Sequence, residues 1–154
     1  MTVERQKTLW SRGQSAVEFA MVATAFFLFI SGVMMMGDAV LAYNSMSAAA
    51  DEAVRYAVAN GPNSSSPATQ ATIEQVAVSI VPQLHLTCTG CPGNSGNGNV
   101  TSSWVTDTNM TASGWQDAKV VINYPYVLKI PFMSSVTLNL TATSQMMESQ
   151  GPSN

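Results

Sequence analysis

An uncharged apolar run of 19 residues, Phe19 to Gly37, is the feature that most constrains how this chain can fold. As an α-helix this run would be about 28 Å long, close to the roughly 30 Å hydrocarbon core of a bilayer. Residues 1–13 carry three basic residues and one acidic residue, and a basic segment of this kind stays on the cytoplasmic side of a membrane. The pattern predicts a transmembrane helix with a cytoplasmic N-terminus.

Two other interpretations of the apolar run compete with a membrane anchor. A buried helix of a soluble domain is disfavoured, because only three basic residues lie outside residues 1–13 and no second apolar helix is evident. A cleaved secretory signal is suggested by Ala48-Ala49-Ala50, which resembles a cleavage site. Such signals have apolar cores of roughly 7–15 residues with the site close behind, so the longer run here favours the anchor.

The helix is predicted to continue beyond the apolar run. No proline occurs from Gln14 to Ala59, and the second half of this stretch is rich in alanine, the best helix former. Asp51 and Arg55 are four residues apart, and the acidic residue comes first, which is the more favourable order for an ion pair along a helix. Asn60-Gly61-Pro62 is a strong stop signal. A helix of about 46 residues would be near 70 Å long, so its second half would project from the membrane.

The C-terminal part, residues 61–154, is predicted to form a small α+β head. Ser66 and Pro67 are typical of the start of a helix and Pro82 of its end. Pro125 interrupts one of the predicted strands, which indicates an edge strand or a bulge. The predicted strands are rich in β-branched and aromatic residues or alternate apolar with polar residues, and they cover Leu84–Cys88, Val100–Val105, Ala118–Leu128 and Val136–Thr143.

The sequence therefore divides into three parts. A cytoplasmic leader (residues 1–13) precedes a long helix (14–60) whose residues 19–37 span the membrane, and an extracytoplasmic head (61–154) follows. The predicted fold class is α+β, with the long helix projecting into a small antiparallel sheet. Small side chains on the second half of the helix would form a low-relief face for the sheet: Ala48, Ala49, Ala53, Val54 and Ala57.

The junction RGQSAVEF, residues 12–19, resembles the processing site of type IV prepilins. In that family a prepilin peptidase cuts after the glycine, and the fifth residue of the product is a glutamate. The resemblance implies cleavage between Gly13 and Gln14, with Glu18 at the fifth position. Glu18 would then pair with the new amine of its own helix or of a neighbouring subunit. A simpler reading of Glu18 is that a carboxylate is favoured near a helix N-terminus.

The stretch from Arg12 to Ala57 resembles the TadE-like family, pseudopilins of the tight-adherence (Flp-type) pilus. The shared features are the Ala-Val-Glu-Phe opening at residues 16–19 and an Ala-Arg-Tyr-like signature that includes Arg55 and Tyr56. Residues 120–132 and 136–148 are similar to the closing strands of the family. The resemblance implies a pilin-like fold and a minor component that initiates or regulates pilus assembly, rather than an enzyme.

The same resemblance implies location and partners. The chain would cross the bacterial inner membrane once, with its head in the periplasm, or join an extracellular pilus used in adhesion. Its partners would be the prepilin peptidase, other pilin-like subunits and the pilus assembly machinery. The chain departs from the family at Thr24, where proline is frequent, and near Met35 and Asp38, where the charges differ. A kink and a charge pairing at these positions do not carry over.

Cys88 and Cys91 form the motif CTGC, for which three states are open. In an oxidising periplasm a local disulfide leads, followed by free thiols and then by a metal site, for which His85 is the one nearby extra ligand. A catalytic redox pair would begin a helix, whereas Pro92 and Gly93 indicate a loop. A tethered redox enzyme is thus one rival interpretation, and an uncleaved single-pass periplasmic scaffold or binding protein is another.

Charge and composition exclude further classes. The net charge is −3 and charged residues make up 10% of the chain, whereas a nucleic-acid binder needs clustered lysine and arginine. No nucleophile with a base, no phosphate loop and no carboxylate pair stands out. The sequence therefore predicts a structural protein without a catalytic, cofactor or metal site.

Overall fold

A computed structural model of the chain describes residues 3–62, 64–91, 96–106, 116–129 and 134–147. The chain forms two compact units. An N-terminal unit comprises Met1–Asp38 and Leu128–Val136, and a head unit comprises Ala39–Val127 and Thr137–Asn154. The second half of the long helix therefore belongs to the same unit as most of the sheet.

The first helix, α1, runs without interruption from Val3 to Ala59. Its end at Ala59 is the one that the stop signal at Asn60 predicts. Its start lies earlier than the Gln14 expected from sequence, since most of the leader is helical as well. The helix also passes through Thr24 without a break.

The apolar part of α1 is exposed. The segment Gly13–Ala59 contains an 18-residue window with a mean hydropathy of 2.2 and none of that window is buried. Phe19 and Phe29 are 75% and 71% exposed. The hydroxyl of Thr24 is satisfied inside the helix, donating to the Ala20 carbonyl oxygen at 2.7 Å. By length and composition this is the one helix of the described residues that can cross a membrane, and it fits a single-pass anchor.

The second helix, α2, covers Gln70–Ile80 and is followed by a 3-10 turn at Pro82–Leu84. Its N-cap is Thr69, whose Oγ1 accepts a hydrogen bond from the backbone N–H of Thr72 at 3.3 Å. The predicted start at Ser66 and Pro67 is wrong. The reason lies in tertiary contact, because the N–H of Ala68 donates to the Asn60 carbonyl at 2.7 Å and ties this segment to the end of α1.

Four strands form one mixed sheet in the order β1-β2-β3-β4. The predicted sheet was antiparallel, but β1 pairs with β2 in parallel, with Leu86 opposite Gly98. β2 and β3 are antiparallel, and Asn99 lies opposite Asn123. The strands are β1 (Leu86–Thr87), β2 (Gly98–Thr106), β3 (Gln116–Leu128) and β4 (Val136–Met147).

The direction of β4 follows from two side-chain hydrogen bonds. Thr141 Oγ1 donates to Asn123 Oδ1 at 2.8 Å, and Gln145 Nε2 donates to Asp117 Oδ2 at 2.7 Å. Residue numbers rise along β4 as they fall along β3, so these two strands are antiparallel.

Pro125 lies inside β3, an inner strand of the sheet. Proline has no N–H to give to a neighbouring strand. The pairing with β2 reaches Asn123, and β2 itself begins at Gly98, so Pro125 lies beyond the part of β3 that β2 covers. The proline is therefore tolerated in this inner strand, because β2 does not pair with the end of β3 that contains it.

One hydrophobic core occupies the head unit and combines residues of α1, α2 and the sheet. Ala48, which the sequence placed on the packing face of α1, is exposed, and Met46 and Ala50 are buried instead. The buried positions repeat every three or four residues, as one face of a helix requires. The fully buried residues of α1 are Met46, Ala49, Ala50, Ala53, Val54 and Ala57, and the sheet contributes Leu86, Val100, Ala118, Val120, Ile122 and Ala142.

Candidate processing and assembly site

The predicted cleavage point lies inside α1. Gly13 and Gln14 are both helical and exposed. Apart from its chain neighbours and the backbone of its own helix, a Cβ added at Gly13 would meet no atom of the described chain within 4 Å, so the fold itself does not require glycine there. A glycine inside a helix costs about 1 kcal/mol relative to alanine. This residue therefore weakens the helix next to the predicted bond without a compensating contact.

Glu18 follows Gln14 by four positions, so the two residues lie on the same side of α1. The Glu18 side chain is exposed. Its neighbours Val17 and Phe19 are 60% and 75% exposed, so the carboxylate interrupts an apolar surface. A carboxylate on a surface that enters a membrane is costly unless a partner neutralises it. The arrangement suits an amine of the same helix or of an adjacent chain.

The residues of the family signature lie near the end of α1. Asp51 and Arg55 are exposed and one helical turn apart, a spacing that contributes about 0.3–0.5 kcal/mol at most. Tyr56 is 37% exposed. Its carbonyl oxygen accepts hydrogen bonds from the Asn60 backbone N–H and from Asn60 Nδ2, both at 3.1 Å. Tyr56 thus takes part in ending the helix.

Cys88 and Cys91 form a disulfide whose Cα atoms are 5.4 Å apart. The backbone N–H of Cys91 donates to the Cys88 carbonyl at 3.4 Å, so the two residues close a tight turn directly after β1. His85 is exposed and ends the 3-10 turn with a φ of 46°, outside the strand in which the sequence placed it. In the described part of the chain no group of three or more His, Cys, Asp or Glu residues can hold a metal ion.

Sequence reasoning missed Glu74, a fully buried residue of α2. It lies beside Ile73 on the side of the helix that packs on β2. The sequence signal for a buried glutamate was its position next to the apolar Ile73 of an amphipathic helix. Hydrogen bonds to a charged group each contribute about 1.5–3 kcal/mol. The donors to its carboxylate are Thr89 N at 2.6 Å, Ser102 N at 3.0 Å, Gln70 Nε2 at 3.0 Å and Ser102 Oγ at 3.4 Å.

Comparison with known proteins gives one match. The family model described as TadE-like protein matches residues 13–55. The match begins at the glycine of the predicted cleavage point and ends at Arg55 of the signature, and over these residues it confirms the resemblance found in the sequence. No curated protein and no solved structure matches the chain.

Proposed function

We propose that this chain, whose residues 13–55 match the TadE-like family, is a minor pseudopilin of a tight-adherence type IV pilus. The family consists of structural pilus components rather than enzymes. The match covers the exposed apolar part of α1, which is long enough to anchor the chain in a membrane. The match over this anchor is the observation that carries the proposal, and it supports a structural part in pilus assembly.

Two independent features support an orientation with the leader in the cytoplasm and the head in the periplasm. Residues 1–13 have a net charge of +2, and positive charge favours the cytoplasmic side of the inner membrane. The Cys88–Cys91 disulfide is typical of an oxidising compartment. The charge acts at one end of the apolar segment and the disulfide at the other, so both favour the same direction of insertion.

Cleavage by a prepilin peptidase would convert the anchored precursor into a subunit. Water would add across the Gly13–Gln14 peptide bond, leaving a carboxylate on Gly13 and an amine on Gln14. The amine would start the apolar helix one turn before Glu18. Its positive charge and the Glu18 carboxylate would neutralise each other, which lowers the cost of placing both in a bilayer. The same amine would also be in a position to bind Glu18 of an adjacent subunit.

The partners in this account are other pilin-like subunits and the assembly machinery. The large exposed side chains of α1, such as Phe19 and Phe29, form an apolar surface that either lipid or a neighbouring helix can cover. A helix that starts neutral after cleavage packs against its neighbours more easily than one with a cationic leader. The subunit would function in the membrane or within the pilus.

The cleavage step is tested by Gly13→Leu, with Gly37→Leu as the matched control. Both glycines lie in α1, and apart from its own helix a Cβ at either position meets no atom of the described residues within 4 Å, so neither change is hindered by the fold. When each variant is coexpressed with a prepilin peptidase, we expect the wild type and Gly37→Leu to lose the leader. Gly13→Leu should remain as the longer precursor on an immunoblot.

The alternative is an uncleaved membrane-anchored scaffold or binding protein of the periplasm. It is favoured by the unbroken course of α1 through Gly13 and Gln14. An active peptidase that leaves the wild-type leader attached would support this alternative and contradict the pseudopilin proposal. Equal cleavage of Gly13→Leu and of the wild type would show that the cut occurs elsewhere.

A further inference from the structure

We propose that the Cys88–Cys91 disulfide controls the stability of the head unit through the buried carboxylate of Glu74. Reduction of the disulfide would release the backbone N–H of Thr89 from Glu74 and leave a buried charge short of a donor. The coupling belongs to the head unit and holds whatever the chain assembles with.

The two oxygens of Glu74 have unequal sets of donors. Oε1 accepts from Ser102 N and from Gln70 Nε2, each at 3.0 Å, and Ser102 Oγ lies 3.4 Å away. Oε2 accepts from Thr89 N at 2.6 Å, its one donor among the described residues. Glu74 is fully buried, whereas Thr89 lies in an exposed turn, and a buried carboxylate oxygen is costly to leave without a donor. Oε2 therefore keeps its hydrogen bond only while the Thr89 backbone stays in this position.

The disulfide turn holds Thr89 in place. Thr89 lies inside the four-residue loop that the Cys88–Cys91 bond closes. Gly90 has a φ of 86°, and a Cβ built on it would lie 2.8 Å from the Cβ of Ala71. The turn thus lies directly against α2, the helix that carries Glu74. The covalent loop and this close packing together direct the Thr89 N–H at the carboxylate.

The redox step is an ordinary thiol–disulfide exchange. A dithiol reductant supplies two electrons and two protons, the S–S bond of Cys88 and Cys91 breaks to give two thiols, and the reductant becomes a disulfide. Without the covalent loop, the turn retains the 3.4 Å bond from Cys91 N to the Cys88 carbonyl. Thr89 then gains backbone freedom, and Oε2 of Glu74 loses its donor for part of the time. The head unit therefore reaches full stability only in an oxidising compartment.

Thermal unfolding of the full chain in detergent micelles, with and without dithiothreitol, tests the coupling. The variant is Glu74→Gln, and Glu52→Gln is the control because Glu52 is an exposed carboxylate of α1. We expect reduction to lower the unfolding midpoint of the wild type and of Glu52→Gln equally. The drop for Glu74→Gln should be less than half as large, because an uncharged side chain loses less when Thr89 leaves. Equal drops in all three proteins would overturn the proposal, since the disulfide would then act only on chain entropy.

Hydrogen exchange in the wild type gives a second test that holds even when Glu74→Gln does not fold. We expect reduction to speed exchange of the Thr89 amide about tenfold or more, as loss of a bond to a charged group predicts. The control is the amide of Ala68, which donates to the Asn60 carbonyl at 2.7 Å rather than to Glu74. Its exchange should change much less. Unchanged protection of Thr89 after complete reduction would contradict the proposal.

Discussion

Two glutamates of this chain have opposite surroundings. Glu74 is fully buried in α2, and its carboxylate accepts hydrogen bonds from the backbone N–H groups of Thr89 and Ser102. Glu18 is exposed on the apolar part of α1. A buried carboxylate needs donors from its own fold, whereas an exposed carboxylate on an apolar surface is available to a partner. At the scale of residues, Glu74 thus serves the fold, and Glu18 is the candidate for assembly.

Replacing Glu18 by alanine should separate processing from assembly. We expect Glu18→Ala to be cleaved like the wild type, because the bond between Gly13 and Gln14 is unchanged, while pilus formation falls because the new amine lacks its carboxylate. Immunoblots report the cleavage, and the amount of pilin sheared from the cell surface reports assembly. Glu52→Ala, which removes an exposed carboxylate from another part of α1, should behave as wild type. Normal piliation of Glu18→Ala would show that the pairing has no part in assembly.

The sequence predicted the Cys88–Cys91 disulfide, which depends on local spacing, and missed Glu74, which depends on contacts with distant segments. The turn between Cys88 and Cys91 spans four residues, so its closure could be predicted from the motif. The backbone donors of Glu74 lie 15 and 28 residues away along the chain, and their approach depends on how α2 packs on β2. No local sequence pattern predicts that these backbone groups bind Glu74.

At the scale of elements, the start of α2 shows how a tertiary contact overrides a local signal. Ser66 followed by Pro67 is a good helix start, yet the chain begins the helix after Thr69 because the segment before it is tied to the end of α1. The parallel strand β1 has two residues, too few for any periodic pattern. The longer strands β3 and β4 have patterns that predict them, and both are present.

The observed cap can be distinguished from the predicted one by two alanine substitutions. Thr69→Ala removes the oxygen that accepts from Thr72 N, so we expect the free energy of unfolding of the head unit to fall by about 1 kcal/mol. Ser66→Ala should change it by less than about 0.5 kcal/mol, because Ser66 is exposed and lies outside the helix. Urea unfolding of the full chain in detergent measures both. A larger loss of unfolding free energy for Ser66→Ala than for Thr69→Ala would support a helix that starts at Ser66, as predicted from sequence.

The packing face of α1 is tested in the same manner by lysine substitutions. Ala53 is fully buried in the core, so Ala53→Lys must force a charged side chain into it, and we expect a loss of several kcal/mol and rapid proteolysis of the head unit. Ala48→Lys is the matched control, because Ala48 is exposed on the same helix, and it should retain wild-type protease resistance. Equal resistance of the two variants would contradict the burial of this face.

At the scale of the whole molecule, the chain combines an exposed apolar helix segment with a head unit that has its own core. The TadE-like match covers the apolar segment and reaches Arg55, and it leaves most of the head unit outside. The sequence motifs therefore predict the anchor and the kind of assembly. They say less of the head, whose mixed sheet and buried Glu74 depend on contacts between distant segments.

In the proposed function, removal of residues 1–13 turns a membrane-anchored precursor into a pilus subunit. The most direct measurement is N-terminal sequencing, together with the intact mass, of the chain recovered from membranes and from sheared pili of cells with an active prepilin peptidase. We expect the recovered chain to begin at Gln14, and to retain the residues before Gln14 when the peptidase gene is deleted. Chains that retain all 13 leading residues in cells that form normal pili would contradict the proposal.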